Sequence, residues 1–243
     1  MNDLATEREL TIGGRRVGNA CPPFIIAELS GNHAGSLDRA LALVDAAAAA
    51  GAHAVKLQTY TADTLTLDVD REEFVLHETG MPWEGRTLHA LYAEAHTPWE
   101  WHEPLFERAR SKGMLAFSSA FDETSVDFLE SLDVPAYKIA SFENGHIPLI
   151  RKVAATKKPV IMSTGMATLA ELTEAIDAAR SAGAERIALL HCTSSYPADP
   201  SESDLATIPY LGDLFRVPVG LSDHTLGIGA ALAAIALGAC ICL

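Results

Sequence analysis

The 243-residue sequence is short of basic charge, of aromatic side chains and of patterned cysteine. Lys and Arg number 18 against 32 Asp and Glu, a net charge of −14, and no run of Lys/Arg offsets the acid. That excludes the basic face of a nucleic-acid binder or of a protein held on anionic lipid. It leaves room for a small anionic ligand, because a few lysines in a cleft set the local field. The four cysteines (Cys21, Cys192, Cys240, Cys242) have neither zinc-type nor redox spacing and are too sparse for a disulfide scaffold, so reduced thiols in a cytoplasmic setting are expected. The N-terminal MNDLATEREL lacks the apolar core of a signal peptide. The 17 charge-free residues from Gly227 to Leu243 fall short of the roughly 20 that span a bilayer. They read instead as a buried helix leading into a buried strand. What is present is an ordinary globular composition, 49% hydrophobic and 21% charged, long enough for one large α/β domain or two small ones.

Seven short apolar runs punctuate the chain: 24–28 (FIIAE), 54–58 (AVKLQ), 115–119 (LAFSS), 136–140 (AYKIA), 159–164 (PVIMST), 186–192 (RIALLHC) and 218–223 (PVGLSD). Helical segments lie between them, with start signals at Ser36, at Thr97 with Glu100, at Asp122 and at Thr168 with Glu171. Repeated strand–helix units with nearly all-apolar strands imply parallel strands covered by helices. No G-x-G-x-x-G follows the first run, which weakens a dinucleotide-binding sheet and favours a (β/α)₈ barrel. The polar stretch from Thr59 to Trp101 reads as an insertion over the barrel mouth. Residues 1–23 are expected to form a short hairpin closing the barrel bottom, and residues 24–243 the barrel.

Polar side chains gather where such a barrel keeps its active site, at the C-terminal ends of strands. Glu28 ends the first run, Lys56 and Gln58 the second, Ser118 and Ser119 the third. Lys138, Ser141 and Glu143 follow at the fourth, Ser163 and Thr164 at the fifth, His191 at the sixth, and Ser222, Asp223 and His224 at the seventh. An inward lysine in an apolar strand is costly without an anion nearby. Two of them, on different strands, point to an anionic ligand, the competing reading being a structural ion pair with Glu28 or Glu143.

The strings ELSGNHAGS (28–36), AVKLQTYTADTLTLD (54–68), MPWEGRTL (81–88), HTPWEWHEPLF (96–106), FSSAFDETSVDFLESL (117–132), AYKIASFE (136–143), VIMSTGMATLAEL (160–172), CTSSYPA (192–198) and GLSDHTLGI (220–228) together resemble the sialic acid synthase family, nearest its pseudaminic acid synthase branch. The resemblance implies condensation of phosphoenolpyruvate with the open-chain aldehyde of an N-acetylated amino sugar such as 2,4-diacetamido-2,4,6-trideoxy-altrose, giving pseudaminate and phosphate. N-acetylneuraminate or legionaminate synthesis is the near alternative, and a catalytically silent barrel that still holds phosphoenolpyruvate the distant one. It further implies a divalent metal, Mn²⁺ or Mg²⁺, at His224, and a homodimer. Glu28, Glu143 and Lys138 become the catalytic candidates. Lys56, Lys138, Ser119, Ser141, Ser163 and Ser222 become contacts for phosphate and carboxylate, Gln58 and Tyr196 contacts for the sugar, and Ser194 a further substrate-binding residue.

In one respect the sequence departs from that pattern. The eighth strand of the family carries a second metal histidine, which would fall just past Leu243, and an eighth helix and an antifreeze-like domain follow it. The expectation is a barrel incomplete at its eighth unit, with unpaired strand edges, a weakly held metal and a truncated or frame-shifted chain.

Overall fold

A computed structural model describes residues 8–77 and 83–243. The N-terminal Met1–Glu7 and the Met81–Pro82 start of one family string lie outside the described residues. The chain opens with β1 (Glu9–Ile12) and β2 (Arg15–Gly18), an antiparallel hairpin whose Leu10, Ile12 and Val17 are buried in the main core. Gly13 and Gly14 make its turn with positive φ, and a Cβ on Gly13 would lie 2.5 Å from Leu115, the first residue of a barrel strand. The hairpin therefore packs against the N-terminal ends of the strands, opposite the polar ends.

The barrel is built from β3 (Phe24–Glu28), β4 (Ala54–Thr59), β5 (Leu115–Ala120), β6 (Tyr137–Ile139), β7 (Val160–Ser163), β8 (Ile187–Cys192), β9 (Val219–Ser222) and β10 (Ile241–Cys242). All neighbours are parallel and the order β10-β3-β4-β5-β6-β7-β8-β9 closes on itself. Here the expectation of unpaired edges is corrected. The two-residue β10 pairs with Phe24 and Ile25 on one side and Leu221 on the other, so β3 and β9 are both satisfied. The end of the charge-free run, read from the sequence as a buried strand, supplies the eighth strand.

Around the barrel lie α1 (Leu37–Ala49), α2 (Ala62–Leu65), α3 (Leu88–Ala95), α4 (His102–Ser111), α5 (Glu123–Ser131), α6 (Ile147–Ala155), α7 (Leu169–Ser181), α8 (Thr207–Phe215) and α9 (Gly229–Ala236). Ser36 caps α1 by accepting from Arg39 N, Gly51 with positive φ follows its end, and Thr168 with Glu171 forms a capping box on α7. Two local readings are corrected. Thr97 is buried and donates to Gly31 O, so it ties the insertion to the first strand–helix loop instead of capping a helix; a 3₁₀ turn at Trp99–Trp101 leads into α4. α9 is buried only at Ala230 and Ala234, while Leu232 on its outer face is 59% exposed, because among the described residues nothing packs over that face. No helix among the described residues is long and apolar enough to cross a membrane.

The insertion after β4 contributes α2 and α3. Asn32 donates to Glu94 O, Ala95 O accepts from Asn32 N, and Trp99 Nε1 donates to Tyr60 O, which pins α3 beside the barrel mouth.

Candidate active site

At the C-terminal ends of the barrel strands lies a cavity of about 420 Å³. Side chains alternate along a strand, so Lys56 and Gln58 of β4 share the inward face with Tyr60 just beyond it. Register then brings neighbours together: Glu28 pairs with Lys56, Gln58 with Ser119, and Ser119 with Lys138. Glu143, Ser141, Ser163, Tyr196, Ser222 and His224 complete the set that the sequence pointed to. Ser194 does not line the cavity; its hydroxyl is enclosed without a hydrogen-bond partner. His191 turns its Nε2 to Ser203 O at 2.7 Å and is likewise not in the lining.

The two lysines have different surroundings. Lys56 Nζ is ion-paired with Glu28 and donates to Ser119 Oγ at 3.2 Å, while Gln58 holds the other Glu28 oxygen at 3.2 Å. Lys138 Nζ donates to Ser163 Oγ at 2.5 Å and Ile139 O at 2.9 Å, and no carboxylate pairs with it among the described residues. Burial, and then repulsion from Lys56, push its ammonium down to about 7. The structural ion pair therefore accounts for Lys56 but not for Lys138. Gly165 shapes the same corner: a Cβ there would sit 2.3 Å from that of Ser141, and its φ of +48° suits glycine.

The far end of the cavity has another character. Tyr60, Leu65, Tyr92 and Phe121 line it, with Tyr60 packed edge-on to Tyr92 at 5.8 Å and to Phe121 at 5.5 Å. Glu143 faces this wall with Oε2 buried and unpartnered, and burial holds its carboxyl above the usual range. None of the four wall residues was singled out from the sequence. Tyr60 was legible, since the alternation that selects Lys56 and Gln58 selects residue 60 next. Tyr92 gave no signal, because α3 reaches the cavity only through the fold of the insertion.

Behind β4 and β5, on their outward faces, a buried polar cluster supports the lysine side. Thr59 Oγ1 lies 2.8 Å from His102 Nε2 and 2.6 Å from Ser118 Oγ. Burial lowers the His102 imidazole to about 4, so it stays neutral. With Nδ1 donating to Pro98 O, its Nε2 accepts from Thr59.

His224 is the one sequence-predicted metal ligand. Its Nδ1 donates to Thr193 O at 2.8 Å, which leaves the Nε2 lone pair free, and the Tyr196 ring packs against it at 4.1 Å. Among the described residues there is no group of three or more His, Cys, Asp or Glu that could hold an ion. One well-oriented imidazole fits a divalent ion in part, with remaining positions left to water and substrate.

Residues 43–242 match the NeuB family. The chain belongs to that family. It is 48% identical to the pseudaminic acid synthase of Campylobacter jejuni, over 89% of this chain and 62% of that protein. It is 41% identical to the N,N'-diacetyllegionaminic acid synthase of Legionella pneumophila, over 92% of this chain and 64% of that one. The crystal structure of an N-acetylneuraminic acid synthetase from Leptospira borgpetersenii superposes with a TM-score of 0.83 at 33% identity, covering 97% of this chain and 76% of the other. The chain thus spans somewhat less than two thirds of the length of the curated relatives it matches. The NeuB match runs through β10, the strand that closes the barrel.

Proposed function

We propose that this chain is the catalytic barrel of a phosphoenolpyruvate-dependent nonulosonic acid synthase, with 2,4-diacetamido-2,4,6-trideoxy-altrose as acceptor and pseudaminate as product. The observation that carries it is Lys138, a buried amine with two neutral acceptors and, among the described residues, no ion-paired carboxylate, in a cavity that already holds a second lysine. Such a site favours a dianionic ligand that supplies the missing charge. The higher identity to a pseudaminic than to a legionaminic acid synthase favours the altrose derivative.

In this reading C3 of phosphoenolpyruvate forms a bond to the aldehyde carbon, water adds at C2, and the C2–O bond to phosphate breaks. Lys138, Lys56, Ser119 and Ser163 hold the phosphate and carboxylate. Ser141 and Ser222 add hydroxyl contacts. Glu28, fixed by Lys56 and Gln58, takes the proton of the attacking water, and Glu143 serves the hydroxyl protons of the sugar. A divalent ion on His224 would polarise the aldehyde oxygen.

The test is phosphate release with this chain, phosphoenolpyruvate and either the diacetamido-altrose or N-acetylmannosamine, beside a thermal melt with phosphoenolpyruvate alone. Turnover with the altrose derivative, and a ligand-dependent rise in Tm that Lys138→Ala abolishes, are expected. A melt indifferent to phosphoenolpyruvate overturns the anion assignment. Turnover with N-acetylmannosamine only would move the reading to a neuraminate synthase.

A further inference from the structure

Lys138 donates to the Ser163 hydroxyl, so whatever fixes Ser163 also fixes the unpaired lysine. The register between β6 and β7 ends at Ile139 and Met162, one residue short of Ser163. Past that rung, strand pairing no longer ties Ser163 to the β6 side. The 3₁₀ turn Phe142–Gly145 follows β6 and carries Asn144, which is 2% exposed. Asn144 Nδ2 donates to Ser163 O at 2.9 Å and, more weakly, to Thr164 O at 3.4 Å. Both carbonyls are acceptors only, so the amide nitrogen must be the end that faces them. The other end, Oδ1, is buried without a hydrogen-bond partner among the described residues. A leucine would fill the same space with no unmet acceptor, so what an amide adds here is its donor.

We infer that Asn144 is a positioning residue for anion binding: it holds the backbone at Ser163, which aims the Ser163 hydroxyl at Lys138 Nζ and presents the pair to the ligand in one preset arrangement. The inference rests on the reading of the cavity as a phosphoenolpyruvate site. It adds to that site a residue that does not line the cavity and touches no ligand. Asn144 acts only through Ser163. Without its amide the buried Ser163 carbonyl loses a donor, the end of β7 turns to recover one, and Ser163 Oγ moves off Lys138. The lysine then keeps its charge and loses its aim.

A double-mutant cycle on phosphoenolpyruvate affinity tests it. The full chain, Asn144→Leu, Ser163→Ala and the double variant are titrated by calorimetry, well below their melting temperatures. Each single change should weaken binding by about tenfold. The double variant should bind within about twofold of the weaker single variant, because Asn144 has nothing left to aim once the hydroxyl is gone. Two effects that multiply, to about a hundredfold in the double variant, would mean that Asn144 acts independently of Ser163 and overturn the inference. Parent affinity in Asn144→Leu would overturn it as well. Should Asn144→Leu fail to fold, Asn144→Ala, which removes the same donor without adding bulk, takes its place in the cycle. A parent chain that binds no phosphoenolpyruvate is a different failure: it sinks the anion reading and this inference with it, and the parent titration alone reveals it.

Discussion

Lys56 and Lys138 stand on β4 and β6 of one barrel, 4% and 3% exposed, and yet they are in opposite states. Around Lys56 every demand is met: Glu28 supplies the charge, Ser119 an acceptor, and behind the strand His102, Thr59 and Ser118 satisfy one another. Around Lys138 there are acceptors and, among the described residues, no ion-paired carboxylate; Glu28 and Glu143 act on it only at a distance. A barrel could have paired both lysines; instead one side is finished by the protein and the other is left for a ligand. A satisfied polar network fixes strand ends in place, whereas an unsatisfied buried charge lowers stability until an anion arrives. The comparison separates a supporting half of the site from a binding half.

The supporting half should break most severely. His102→Leu removes the acceptor of Thr59, leaves that buried hydroxyl with Ser118 Oγ alone and misfits a fully buried site. A loss of about 3–4 kcal/mol is expected, roughly 10 °C in Tm. His102→Gln, which restores an acceptor, should recover part of it. A melt of His102→Leu within a few degrees of the parent would show that the network is incidental to the strand ends.

The binding half should respond with the opposite sign. Lys138→Met keeps volume and removes an unpaired buried charge, so the ligand-free protein should gain about 2 kcal/mol and lose its response to phosphoenolpyruvate. Because the folded value, about 7, lies below that of an unfolded lysine, the unfolded chain binds the extra proton between the two. Parent stability from this group therefore rises with pH across that window. The advantage of Lys138→Met is full below about pH 7 and fades towards pH 10. Urea unfolding of both proteins at several pH values checks the sign, and an advantage that grows with pH contradicts the assignment.

The same division governs what the sequence revealed. Strand positions were legible because apolar runs of five to seven residues recur with helix signals between them. The inward residues on them were legible because period-two alternation places reactive side chains at strand ends. A buried strand at the end of the charge-free run was legible too, but not that it would close the barrel, since β10 has only two residues and its partners, Phe24, Ile25 and Leu221, are far away in sequence. Which lysine would be paired was likewise illegible. Glu28 and Glu143 are equally acidic in the sequence, and only the register that sets Glu28 beside Lys56 chooses between them. Tyr92 and Leu65 stayed hidden for a further reason: short helices of an insertion carry no periodic signal that tells which side meets the cavity.

The sharpest test of the comparison is also its smallest effect. Lys56→Met removes a cation as buried as Lys138, so a count of buried charges predicts equal results. The pairing predicts otherwise. Glu28 keeps 32% of its side chain exposed, so water can solvate the carboxylate that the lysine leaves, and Gln58 still donates to it. The ion pair lost is partly screened, worth less than about 1 kcal/mol, and the desolvation of Lys56 that disappears with it acts in the other direction. Tm should move by no more than about 3 °C either way, and the phosphoenolpyruvate response should weaken without vanishing, since Lys138 remains. If Lys56→Met stabilises the chain as much as Lys138→Met does, Glu28 is not compensating its neighbour and the two lysines form one undivided anion cradle.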